Sequence, residues 1–124
     1  MTGKTRVCAL IGDPVEHSLS PTIQNAAFQY LGLDLVYTAF NVRDGQIRDA
    51  ILGVRALGIY GLNVTMPHKI SIIGYLDELD ETSRRVGSVN TVLNKNGWLI
   101  GYTTDGIGLL NALRYAGVNP LGRK

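Results

Sequence analysis

The sequence predicts an α/β fold: a three-layer α/β/α domain around a mostly parallel mixed sheet that includes one antiparallel hairpin. Three observations lead there. Residues 7–11 (VCALI) form an unbroken apolar run, the mark of a strand buried on both faces. Apolar strands then alternate with helical stripes as far as residue 86, the order from which parallel crossovers are built. Finally, Asn96-Gly97 stands between two apolar runs, the strongest short-range hairpin signal.

The first strand is cut by Gly12-Asp13-Pro14. Ser20-Pro21 reads as an N-cap followed by proline at the first helical position, and Ile23, Ala26, Ala27, Tyr30 and Leu31 repeat at helical spacing until Gly32. Residues 35–42 (LVYTAFNV) are β-branched and aromatic, hence a second strand ended by Asp44-Gly45. Ile47, Ala50, Ile51, Val54 and Leu57 mark a second helix, with Gly58 past its end. Residues 59–64 give a third strand. Residues 77–86 read as a helix, acids first and Arg84-Arg85 last, with Asp80–Arg84 and Glu81–Arg85 as expected pairs. Residues 89–94 and 98–103 form the hairpin, and residues 106–116 a last helix that packs through Leu109, Leu110, Leu113 and Ala116. The expected organisation is one domain over residues 1–117 and a linker over 118–124.

Composition narrows the function. Of the 124 residues, 45% are hydrophobic and 18% charged, a globular balance that excludes a disordered or coiled-coil chain. The formal charge of +2 comes from scattered Lys and Arg without a basic stripe, which argues against nucleic acid. The one cysteine, Cys8, sits inside the first strand and reads as a small buried hydrophobe; no disulfide within the chain is possible. The apolar run near the amino terminus is too short for a signal peptide, and nothing approaches a bilayer span, so the expectation is a cytoplasmic protein.

Polar clusters gather at strand ends, the place where open α/β sheets bind ligands. They are residues 16–20, 63–69, 88–91 and 103–105; the third lies at a strand's start and fits the rule least well. Ser18 and Ser20 precede a helix N-terminus, which favours an anion such as a carboxylate or phosphate, although Ser20 also serves as an ordinary cap. Lys69 with Asp105 offers an ammonium and a carboxylate, the equipment for moving a proton at a reacting oxygen; Asp105 reads equally as a helix N-cap. Asn63 and Asn90 each supply a donor and an acceptor for a polyhydroxylated ligand, or bond backbone at strand ends. His17 and His68 lack metal-ligand spacing and read as exposed or loop-packing residues, so no metal is expected. Gly106-Ile107-Gly108 misses the third glycine of a dinucleotide loop, because Asn111 occupies it.

Taken together, IGDPVEHSLSPTIQNAAF, GLNVTMPHK, GSVNTV and GYTTDGIG resemble, in order and spacing, the substrate-binding domain of the shikimate dehydrogenase family. The resemblance implies that Ser18 and Ser20 hold the carboxylate of shikimate and that Asn63, Thr65, Asn90, Thr104 and Asp105 bind its ring hydroxyls. It implies catalytic roles for Lys69 and Asp105, which handle the hydroxyl proton as hydride passes between the ring and NADP, linking shikimate with 3-dehydroshikimate. Glu81 aligns with an acidic position on the cofactor side of the cleft. One departure is Thr103, where the family usually has Asn. Family members also continue into an NADP-binding Rossmann domain, so this chain is expected to be inactive alone and to self-associate, as a homodimer for instance, through an uncovered apolar face. Two other readings stand beside this one: a stand-alone, non-enzymatic module for cyclic carboxylic acids, which has no need of Lys69 with Asp105, and a quinate-accepting dehydrogenase.

Overall fold

The computed structural model describes residues 1–104. Six strands form one sheet: β1 (Arg6–Gly12), β2 (Leu35–Asn41), β3 (Gly61–Val64), β4 (Glu78–Leu79), β5 (Thr91–Lys95) and β6 (Trp98–Tyr102), in the order β2-β1-β3-β5-β6-β4. β1 runs parallel to β2 and β3, and β6 parallel to β4, whereas β5 is antiparallel to both β3 and β6. Among the described strands, then, only β5 is reversed. Helix α1 (Ser20–Leu31) covers one face, α2 (Ile47–Leu57) the other, and short α3 (Glu81–Val86) follows β4.

The period-two geometry of strands divides the core in two. Ala9 and Ile11 of β1 join Ile47, Ile51 and Val54 of α2, while Cys8 and Leu10 join Phe28 of α1 and Tyr37 of β2. The three α2 residues repeat at helical spacing, and burying each is worth roughly 1.5–3 kcal/mol. In the hairpin, Asn96 (φ 54°) and Gly97 (φ 92°) both adopt the left-handed backbone that a two-residue turn of this kind needs.

Two expectations about α1 are corrected. The stripe Ile23, Ala26, Ala27, Tyr30 and Leu31 of α1 is not its most buried face: Phe28 is 1% exposed and Ala27 and Leu31 are half-buried, whereas Tyr30 is 89% and Ile23 62% exposed. The sequence of α1, SPTIQNAAFQYL, has no charged residue to mark an outer side, so the pattern could not say which apolar group faces the sheet. The expected N-cap Ser20 is instead the first helical residue, Leu19 is the cap, and the Ser18 hydroxyl accepts the Ser20 N–H at 3.1 Å.

Residues 77–86 are not one helix. Asp77 N–H donates to the Leu99 carbonyl, and the Asp77 carboxylate accepts from Leu99 N–H (2.7 Å) and from Arg55 (2.8 Å). The free edge of β6 thereby draws residues 78–79 into the sheet, and the helix starts only at Glu81. Asp80 caps α3 by accepting the Ser83 N–H, with Arg84 turned to the Leu79 carbonyl; the Glu81–Arg85 pair forms at 2.8 Å as expected. The expected helix at 106–116 and the linker at 118–124 lie outside the described residues. No helix among the described residues is long and apolar enough to cross a membrane.

Candidate functional site

The reversal of β5 explains the cluster that fitted the strand-end rule least well. Because β5 runs against its neighbours, its start lies beside the carboxyl ends of β3 and β6, with Thr91 opposite both Asn63 and Tyr102. Asn90, one residue earlier, ties the three ends together: its carbonyl accepts the Val64 N–H at 2.8 Å, and its own N–H donates to the Tyr102 carbonyl at 3.0 Å.

Segment 65–69 is held from several sides. Thr65 N–H donates to the Ile11 carbonyl (3.0 Å), Asp13 N–H to the Met66 carbonyl (2.9 Å), and Val89 N–H to the Lys69 carbonyl (2.9 Å). His68 is 0% exposed and donates from Nε2 to the Val42 carbonyl at 2.5 Å. Of the two expected settings for the histidines, His68 therefore takes the packed one and His17 the exposed one. A buried imidazole beneath the loop fixes the backbone that presents half-buried Lys69. Among the described residues no acid pairs with Lys69.

Ser18, Ser20 and Thr65 line one cavity of about 380 Å³, together with Leu10, Pro14 and His17. Next to it runs a chain of side-chain hydrogen bonds. Tyr37 donates its hydroxyl to Asn63 Oδ1 at 2.8 Å, Asn63 Nδ2 donates to the Thr91 hydroxyl at 3.3 Å, and Thr91 donates to Asn90 Oδ1 at 2.9 Å. Thr104 adds its N–H and its hydroxyl to the same Asn90 oxygen, each at 3.3 Å. The Tyr37 phenol is raised above its ordinary value chiefly by burial, then by neighbouring Cys8, against a smaller pull from the Ser20 hydroxyl. It is thus a neutral donor that joins the serine cavity to the asparagines.

Six of the residues singled out in the sequence, Ser18, Ser20, Asn63, Thr65, Asn90 and Thr104, thus share one edge of the sheet, and Lys69 is tied there by its backbone. Glu81 stands apart: it is exposed at the start of α3 and pairs with Arg85. Asp105 lies outside the described residues. Thr103, the departure noted in the sequence, donates its hydroxyl to the Ser88 carbonyl and so makes a supporting tie of its own.

Sequence reasoning missed Tyr37 and gave Thr91 no role beyond its place in the 88–91 cluster; both lie within strands and both are buried. For Tyr37 a faint signal exists in Asn25 of α1, whose amide grips the edge strand at the Tyr37 N–H (2.8 Å) and carbonyl (2.9 Å). That contact is visible only once α1 is docked.

The turn after β1 lacks the room of a pyrophosphate cradle. Doubly wound folds cradle pyrophosphate at the turn after the first strand, where a glycine leaves room. Here the space beside Gly12 is filled by the Thr65 methyl, the Met66 carbonyl and Val15.

Comparison with known proteins bears on the family and the fold. The family described as "Shikimate dehydrogenase substrate binding domain" matches residues 10–92. Shikimate dehydrogenase (NADP(+)) of Geobacillus kaustophilus is 56% identical over 108 residues, 87% of this chain and 39% of the relative. The same enzyme of Alkaliphilus metalliredigens is 50% identical over 99% of this chain and 43% of the relative. A crystal structure of shikimate 5-dehydrogenase from Listeria monocytogenes, in complex with shikimate and NAD, superposes with a TM-score of 0.83 at 49% identity, covering 96% of this chain and 41% of that one. The chain spans about two fifths of the length of the relatives it matches.

Proposed function

The chain belongs to the shikimate dehydrogenase substrate-binding family, and from that premise we propose that it binds shikimate or 3-dehydroshikimate for NADP-dependent oxidoreduction in aromatic amino acid biosynthesis. What supports the reading is the gathering of two serines, two asparagines, two threonines and the Lys69 backbone on one sheet edge.

The hydrogen bonds assign each group a polarity. Ser18 spends an acceptor lone pair on the Ser20 N–H, which leaves its O–H to donate to a ligand carboxylate beside the start of α1. Ser20 offers a second hydroxyl in the same cavity. Asn90 Oδ1 is occupied by Thr91 and Thr104, so its amide N–H groups remain to donate to a ring oxygen. Asn63 is held at both ends, by Tyr37 and Thr91, with one N–H left over. Thr65 and Thr104 take the remaining hydroxyls together with Asp105, and Lys69 passes a proton to or from the reacting oxygen with Asp105 as its partner.

The domain of this proposal covers residues 1–117, followed by a linker. NADP, when bound, supplies the hydride acceptor; with the turn after β1 filled, we place it on the part of the relatives that this chain does not match, with Glu81 at the cofactor side. The proposal extends to a cytoplasmic location and to self-association, the latter supported by exposed Leu19, Ile23 and Tyr30 on the α1 side.

The test is titration calorimetry of shikimate into the chain. Ser18→Ala and Asn90→Ala are each expected to weaken binding about tenfold, the size of a lost hydrogen bond to a charged or buried group. In a protein of the relatives' full length that carries this chain, Lys69→Ala is expected to lower turnover roughly 10²–10⁴-fold with a smaller effect on KM. No binding of shikimate at millimolar concentration would refute the reading.

A further inference from the structure

From the bonds around Thr91 we infer that this residue, which touches no ligand in the proposed function, is a positioning residue that sets the orientation of both site asparagines. The inference rests on that function only for its ligand-binding consequence.

Thr91 is 0% exposed and sits in β5 directly opposite Asn63 of β3. Its hydroxyl faces two amides at once. It accepts from Asn63 Nδ2 at 3.3 Å and donates to Asn90 Oδ1 at 2.9 Å. A hydroxyl carries one proton, so these two roles exclude their reverse. The proton cannot go to Asn63 Nδ2, which has no lone pair to offer, and it is not needed at Asn63 Oδ1, where Tyr37 already donates. It goes to Asn90 Oδ1, where Thr104 also donates. Flipping the Asn90 amide would set Nδ2 against the Thr91 and Thr104 donors. Flipping Asn63 would face its NH₂ with the Tyr37 hydroxyl and its oxygen with the Thr91 oxygen. One buried hydroxyl thereby couples the amide of Asn63 in β3 to that of Asn90 just before β5, and leaves one N–H of Asn63 and both of Asn90 to donate.

A strand position at the sheet centre would be satisfied as well by Val, which has the same branching and nearly the same volume. Packing alone gives no reason for a hydroxyl here. Burying one is unfavourable unless it is bonded, and both of its bonds lead to site residues. The consequence is a specificity device: ring oxygens at these two places meet fixed donors, and a ligand with donors only, such as an ammonium group, is disfavoured.

The test compares Thr91→Val and Thr91→Ser on the whole chain. Thr91→Val is expected to leave the melting temperature and backbone spectrum close to the parent's while the side-chain NH₂ signals of Asn63 and Asn90 gain mobility in ¹⁵N relaxation; Thr91→Ser restores them. Shikimate affinity should fall about tenfold in Thr91→Val and stay within about twofold in Thr91→Ser. Unchanged amide order in a folded Thr91→Val chain overturns the inference, whatever shikimate does. If Thr91→Val fails to fold, Thr91→Ser decides: parental amide order and affinity in it support the hydroxyl's role, and loss of both overturns it. Mobile amides in Thr91→Val, in a parent chain that binds no shikimate, support the positioning role and refute only the proposed ligand.

Discussion

Gly12 closes β1 against the segment that carries Thr65 and Lys69, and Gly12→Ala tests how tightly that contact sets the site. An added Cβ would overlap the Thr65 methyl, stand 3.0 Å from the Met66 carbonyl oxygen and 3.2 Å from a Val15 methyl. Carbon contacts are most favourable at about 3.5–4.0 Å, so the segment has to move outward. It is not free to do so, because the Ile11 carbonyl holds Thr65 N–H at 3.0 Å and Asp13 N–H holds the Met66 carbonyl at 2.9 Å, one tie on each side of Gly12. Overpacking of this kind costs about 1–3 kcal/mol, which lowers the melting temperature of a domain this size by roughly 5–15 °C. The movement falls on Thr65 and, four residues later, on Lys69, so shikimate binding should weaken along with stability. Gly53→Ala is the control. Gly53 lies in α2 with nothing within 4 Å of an added Cβ, and there the substitution should stabilise by up to about 1 kcal/mol. Thermal melts and shikimate titrations of the two variants check this. A Gly12→Ala chain that melts and binds like the parent would refute the close contact and the coupling drawn from it.

Asp77 should give stability a dependence on acid pH. The Arg55 hydrogen bond first, and the Leu99 N–H second, hold its carboxyl below the ordinary carboxylate value. A lowered folded value means the contribution is present above the unfolded value of about 3.9 and is lost as pH falls through the folded one. Urea denaturation between pH 7 and pH 3 should therefore show a steeper loss in the parent than in Asp77→Asn; equal slopes would count against it. Burial pushes the Cys8 thiol up to about 12. It should resist alkylation at pH 8 in the folded chain and react once denaturant is added, as followed by mass spectrometry. Its share of stability is full below the unfolded thiol's value of about 8.5 and shrinks as pH rises toward the folded one; rapid labelling of the native chain would contradict its burial in β1.

Much of this protein follows from local rules. The β1 run, the α2 stripe with Ile47, Ile51 and Val54 inward, and the Asn96-Gly97 hairpin were legible because side-chain period and turn chemistry act over a few residues. The spacing of Ser18, Ser20, Asn63, Thr65, Lys69 and Asn90 was legible as well, since polar groups at strand ends contradict the pattern of a core. What required the folded chain is everything that depends on which strand lies beside which. The direction of β5 brings Asn90 to the carboxyl edge. The open edge of β6 turns residues 78–79 from helix to strand. α1, uncharged along its length, shows its buried side only through Phe28 against the sheet. Tyr37, His68 and Thr91 look like ordinary strand or loop residues until partners 26, 26 and 28 residues distant reach them. Local periodicity carries no information about those distant pairings, because they are selected by the joint burial of two faces of one sheet.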